Sequence, residues 1–228
     1  MEERASQILS EAANAAGIDL GRDELSLFAA YYGELLAWNK KVSLISTRSE
    51  SDIIIKHFID SLTLLPYIKS ETCRVLDIGS GAGFPGIPLK IALKSLKVFL
   101  LESSRKKTSF LKHVIRSLGL AETVVIHNRA ESLMKDETCR DFYQVVTSRA
   151  TFKLTEFLRM GAFFLAPKGS LIAMKGKISD QELTDAAGIY HSLGLKYIGS
   201  HDLTLPITGD FRRIIIYEKL FLQGKYSF

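Results

Sequence analysis

The segment Val75-Leu76-Asp77-Ile78-Gly79-Ser80-Gly81-Ala82-Gly83-Phe84-Pro85-Gly86 runs a hydrophobic strand into a glycine-rich turn. Without a Cβ, such a turn lets the backbone come close to a ligand. Two templates overlap on it. Gly81 to Gly86 spells G-x-G-x-x-G, which seats a pyrophosphate on a helix N-terminus. Read from the acid, Asp77, Gly79, Gly81 and Gly83 spell D-x-G-x-G-x-G. The two registers imply opposite electrostatics. A carboxylate at the strand end repels a diphosphate but favours the sulfonium cation of S-adenosylmethionine, which carries no phosphate. The second register is preferred, and a nicotinamide-dependent oxidoreductase is the rival.

More candidates follow the turn. Glu102 ends the next strand, where an acid commonly binds ribose hydroxyls; it suits either ligand. Asn128-Arg129-Ala130-Glu131 follows the third strand, and Ala130 and Glu131 are placed to line an adenine ring. Phe84 packs either on the cofactor or in the core. Arg149, in the loop after the fourth strand, can pair with a base oxygen, a phosphate or the cofactor carboxylate. That loop has no N/D-P-P-Y/F/W segment for amino-group methylation. Neither Cys73 nor Cys139 sits where a carbon-5 nucleophile would be needed. The acceptor left is one that needs no activation, such as guanine N7, whose lone pair attacks once positioned.

These residues need elements to hold them. Residues 1–70 read as helical, with apolar stripes at Ile8–Ala16, Leu25–Leu36 and Ile54–Leu65. Between the last two, 38–46 reads as a turn and an extended piece. From residue 71 on, strands at 74–79, 97–103, 123–128, 143–148 and 170–176 alternate with helical stretches near 85–95, 104–118, 152–165 and 179–193. The strands 197–205 and 212–220, joined by a short loop, must be antiparallel. The expectation is an α/β, Rossmann-like methyltransferase domain over 71–228, with a mostly parallel seven-stranded sheet containing one antiparallel strand and an N-terminal helical appendage.

Net charge is +5 over 228 residues, which fits an anionic partner. Lys40, Lys41, Arg105, Lys106, Lys175, Arg212 and Arg213 are candidates for a basic rim against RNA, with Lys175 also a candidate beside Arg149 at the reaction site. Cations at a helix N-terminus are disfavoured, so Arg105 and Lys106 invite another purpose. No apolar run reaches membrane-spanning length, no secretory leader is evident, and the histidines and cysteines have no metal-ligand spacing. The expectation is a cytoplasmic monomer without metal. A non-catalytic RNA-binding assembly protein and a small-molecule methyltransferase are further alternatives.

The chain resembles the small-subunit ribosomal RNA methyltransferase G family, also called glucose-inhibited division protein B. The likeness is carried by Trp38-Asn39-Lys40-Lys41, His57-Phe58-Ile59-Asp60-Ser61-Leu62, LDIGSGAGFPGIPLKIA (76–92), NRAESL (128–133), SRA (148–150) and MKG (174–176). It implies a class I fold and S-adenosylmethionine held around Gly79, Phe84, Ala130, Glu131 and Arg149. It also implies methylation of N7 of guanosine 527 in 16S rRNA, presented as free rRNA, as the 30S subunit or as an assembly intermediate. Val42-Ser43-Leu44-Ile45-Ser46 departs from the family's usual segment after the tryptophan, and the roles of His57 and Asp60 stay open between helix packing and RNA contact.

Overall fold

The computed structural model describes residues 2–46, 49–149 and 152–221. Among them, strands β1 (Arg74–Ile78), β2 (Lys97–Glu102), β3 (Thr123–His127), β4 (Tyr143–Arg149), β5 (Leu165–Lys175), β6 (Leu195–Thr204) and β7 (Phe211–Lys219) form one sheet in the order β3-β2-β1-β4-β5-β7-β6. The first five pair in parallel, and β7 runs antiparallel to both β5 and β6. This is the expected sheet with its one reversed strand. The order turns back between β1 and β4, and a doubly wound sheet opens a crevice at the carboxyl ends of such a pair.

Helices cover both faces. They are α1 (Glu2–Ala15), α2 (Arg22–Asn39), α3 (Glu50–Ile53), α4 (Asp60–Leu62), α5 (Gly86–Ala92), α6 (Arg105–Ser117), α7 (Ala130–Leu133), α8 (Leu154–Phe164) and α9 (Asp180–Ala187). Successive strand side chains point to opposite faces, and the burial follows that alternation. Val75, Val98, Leu100, Val145, Ile172, Met174 and Ile214 share one core with Leu9, Phe28, Tyr31, Phe58, Ile87 and Phe110. Leu76, Ile78, Leu101, Val146, Leu171, Ala173 and Ile215 share the other with Leu154, Phe157, Leu158 and Ala186. The helices before residue 70 thus lie over the same sheet face as α5 and α6. Each large side chain buried there contributes roughly 1.5–3 kcal/mol, enough to fasten α1 and α2 to that face.

Two elements differ from the sequence reading. The third apolar stripe is not a uniform helix: it widens into a π-helical run, Ile54–Ile59, between α3 and α4. Strand β5 begins at Leu165, immediately after α8, and not at Ser170. Apolar Leu165 and Ala166 fit a helix or a strand equally well by pattern, and pairing of Leu165 with Tyr143 decides for the strand.

Candidate functional site

A cleft of about 820 Å³ opens at the carboxyl ends of β1, β2, β3 and β4. Gly79, Ser80, Gly81, Ala82 and Phe84 form its floor. Gly79 (φ 74°) and Gly81 (φ 60°) occupy left-handed conformations that favour glycine. Gly83 (φ 102°) has a further reason: a Cβ there would sit 2.4 Å from Ile87 Cδ1 and 3.1 Å from the Tyr31 hydroxyl. It lets the turn close onto α2 and α5, and it does not line the cleft.

Six amides of this turn, those of Gly79, Ser80, Gly81, Gly83, Phe84 and Gly86, are committed inside the protein. Gly79 and Ser80 N–H donate to the Leu101 carbonyl at 2.8 and 3.1 Å, and Gly83 and Phe84 N–H donate to that of Ser80 at 2.7 and 3.0 Å. Gly81 N–H donates to Glu102 Oε2 at 2.9 Å, and Gly86 N–H to Asp77 Oδ2 at 3.0 Å. A pyrophosphate needs such amides free; here carbonyls and carboxylates already hold them.

Asp77 does not face the cleft, which corrects the expectation that it meets the ligand's positive end. It shares the strand face of Val75, so alternation turns it under α5, fully buried against the Gly86 amide. Burial pushes its carboxyl up to about 7, against the pull of that amide and of Arg149. The acid at the cleft floor is Glu102. Its Oε1 accepts from Ser104 N–H at 2.7 Å and its Oε2 from Gly81, so the carboxylate ties the glycine turn to β2. Each oxygen keeps a second lone pair for a ligand hydroxyl. Ala130, buried at the start of α7, and exposed Glu131 form the facing wall.

Arg149 ends β4 on the face of Val145, the same face as Asp77, and so points toward the N-terminal helices. Its Nη1 donates to the Lys56 carbonyl at 2.8 Å and its Nη2 to His57 Nδ1 at 2.9 Å. Asp60 Oδ2 lies 3.6 Å from Nη1, and the guanidinium covers the Phe84 ring at 4.9 Å. Burial lowers the arginine's pKa, and Asp60 and Asp77 oppose that shift. His57 stacks on Phe84, with ring centroids 4.9 Å apart at 17°. Tyr31, buried on α2, donates to the Ala82 carbonyl at 2.5 Å and braces the turn from behind. Phe84 packs in the core against Tyr31 and Phe58 and also lines the cleft.

Other expected residues are not brought to the cleft. Lys175 lies on the opposite sheet face, where its Nζ donates to the Phe152 carbonyl and to Glu182 Oε1 at 2.5 and 2.9 Å. Strand parity separates it from Arg149, which corrects its placement beside the reaction centre. Arg212 is no rim cation: its Nε donates to buried Asp60 Oδ1 at 3.0 Å. Arg213 pairs with Asp202 through two bonds of 2.6 and 2.5 Å. Lys40, Lys41, Arg105 and Lys106 are exposed. Ala150 of the SRA string lies outside the described residues.

Sequence reasoning missed part of the lining. Lys107, one residue beyond the two expected cations, faces the cleft with Ser103, Phe152 and the loop Leu44-Ile45-Ser46. That loop is no extended strand. Asn39 Oδ1 accepts from Leu44 and Ile45 N–H at 2.8 and 3.1 Å, and Trp38 anchors its base against Phe110 and His113. The asparagine after the tryptophan was the available signal: such side chains commonly satisfy turn amides.

A family model described as rRNA small subunit methyltransferase G matches residues 24–199. The protein named Ribosomal RNA small subunit methyltransferase G from Syntrophus aciditrophicus (strain SB) is 46% identical over 214 residues, 93% of this chain and 89% of that protein. The protein of the same name from Geotalea uraniireducens (strain Rf4) is 37% identical over 96% of this chain and 99% of its own length. A crystal structure of M. jannaschii TYW2 in complex with AdoMet superposes with a TM-score of 0.55 at 19% identity, over 71% of this chain and 74% of that one. That last likeness concerns the fold.

Proposed function

We propose, from the premise that this chain belongs to the rRNA small subunit methyltransferase G family, that its cleft transfers a methyl group from S-adenosylmethionine to N7 of a guanine in 16S rRNA. It is an S-adenosylmethionine-dependent methyltransferase of small-subunit rRNA. The observation that carries the reading is the amide accounting of the glycine turn. A turn with six N–H groups already serving Leu101, Ser80, Glu102 and Asp77 suits a nucleoside without phosphate better than a dinucleotide.

When bound, the cofactor supplies an electrophilic methyl group on a sulfonium sulfur. In this proposal Glu102 accepts from the ribose hydroxyls, Ala130 and Glu131 hold the adenine, and Gly79 and Gly81 give backbone access to the methionyl part. Phe84 walls the transfer end with an apolar face that excludes water. Guanine N7 bears no proton in the neutral base, so no general base is required and catalysis is positioning and charge placement. Arg149, held by His57, Lys56 and Asp60, presents fixed positive charge to the acceptor base or its phosphate. Exposed Lys40, Lys41, Arg105 and Lys106, with Lys107 at the cleft, supply the electrostatic attraction for RNA. Residues 1–70 are a helical segment packed on the methyltransferase core, and the protein works as a cytoplasmic monomer.

The test is transfer of tritiated methyl from S-adenosylmethionine to purified 30S subunits and to deproteinised 16S rRNA, followed by mapping of the labelled nucleotide. Label at N7 of a single guanine is expected. Label on another atom or base overturns the N7 assignment, and no label on either RNA overturns the substrate.

A further inference from the structure

His57 has one ring nitrogen whose role is fixed and one whose role is not. Arginine can only donate, so the contact from Arg149 Nη2 makes Nδ1 the acceptor and leaves the proton of the neutral ring on Nε2. The ring is neutral: burial, then Arg149 and Arg212, push its pKa down to about 3. The Nε2–H is buried and has no hydrogen-bond partner among the described residues. Nearly every buried donor in a protein finds a partner, so an orphan asks for a missing one.

The surroundings say where that partner comes from. His57 lines the same cleft as Gly79, Phe84 and Arg149, and its ring is held flat on Phe84. It sits in the π-helical run Ile54–Ile59, a local widening frequently found at functional sites. Its own carbonyl accepts from Ser61 Oγ at 2.5 Å, which pins the turn. Tautomer, stack and backbone are all fixed, so the donor is held in one place before any ligand arrives.

We infer that His57 Nε2–H is a binding donor for an oxygen acceptor of a ligand in the cleft, either the cofactor's carboxylate or O6 of the target guanine. In the second case it is a specificity device. A fixed donor accepts guanine's O6 and rejects adenine, whose amino group at that position is itself a donor. The inference rests on the methyltransferase reading and names a ligand contact within it.

Nitrogen-15 spectra of the imidazole rings test this, with His57→Gln assigning the signal. At pH 7 the wild type should show a protonated Nε2 and an unprotonated Nδ1. S-adenosylhomocysteine moving the Nε2–H resonance identifies the cofactor carboxylate. A shift seen only on adding 16S rRNA identifies the base. Kinetics give the second readout. His57→Phe keeps an aromatic ring on Phe84 and should raise KM for the ligand so identified about tenfold, the loss of one hydrogen bond, with the other KM little changed. His57→Gln, which offers Arg149 an acceptor and the ligand a donor, should recover part of that loss. No shift with either ligand, from a wild-type protein that methylates RNA, overturns the inference and leaves the reading of the site intact. Unchanged KM values in a folded His57→Phe variant overturn it as well. A wild type that methylates neither RNA fails the reading itself.

Discussion

Arg149 and Lys175 end neighbouring parallel strands, with Arg149 registered against Met174, yet they belong to different parts of the molecule. Arg149 faces the helices of the first seventy residues and covers Phe84 at the cleft. Lys175, one residue past Met174, faces the other way and holds Glu182 of α9. Both are cations at the carboxyl edge of the sheet. Parity alone gives one to the cleft and the other to the helix layer. The same rule takes Arg212 inward to Asp60 and turns Arg213 toward Asp202. A strand-end cation is therefore a site candidate only once its face is known.

The strongest way to break this contrast is to truncate both residues. Arg149→Ala should lower kcat/KM for methyl transfer roughly 100- to 1000-fold, the scale of losing a fixed charge-stabilising donor, with the far-ultraviolet spectrum unchanged. Turnover near wild type would remove Arg149 from the site. Lys175→Ala should keep methyl transfer within about threefold while lowering stability by ~1–3 kcal/mol in urea melts, because Glu182 and the Phe152 carbonyl lose their donor. Equal loss of turnover in both variants would show that the two faces are not functionally separate.

A pH experiment sharpens the picture of what lies beneath the cleft. The Asp77 carboxyl is raised in the fold from 3.8 to about 7, so between those values the folded state holds a proton that the unfolded state has released. Its contribution to stability is complete at low pH and is lost as pH rises through about 7. Asp60, also raised by burial, acts in the same direction. His57, with its pKa lowered to about 3, acts in the opposite direction over the same range, so the readout is the difference from wild type. Asp77→Asn, whose amide oxygen can still accept from Gly86, should make stability rise more, or fall less, with pH in urea melts between pH 4.5 and 7.5. A slope unchanged by the substitution would place the titration elsewhere. Tyr31→Phe should cost ~1–3 kcal/mol, since the buried Ala82 carbonyl loses its donor, and should weaken S-adenosylhomocysteine binding in calorimetry; unaltered affinity would show that the turn holds its shape without that brace. The smallest effect is expected at the exposed rim. Lys106→Ala should leave the melt within about 0.5 kcal/mol and lower the salt dependence of RNA binding by roughly one phosphate contact. An unaltered slope would take Lys106 off the RNA path.

Much of this site was readable in the chain. Glu102, Ala130, Glu131 and Phe84 reach the cleft, as their places after the strands suggested, because strand-end loops of a doubly wound sheet gather at one edge. Asp77 was found as a residue but given the wrong neighbour, although counting two residues back to Val75 puts it on the face that α5 covers. Leu44, Ile45 and Ser46 were not legible, since their place depends on the Asn39 side chain, which no periodicity reports.

The sequence by itself determined the alternation of strands and helices, the reversed last strand and the glycine turn, because these follow from local periodicity and backbone freedom. Only the tertiary structure decided that six of the turn's amides are already committed. It alone brought His57 and Asp60 across some ninety residues of chain to Arg149. Such contacts depend on which sheet face the first helices cover, and long-range packing sets that choice.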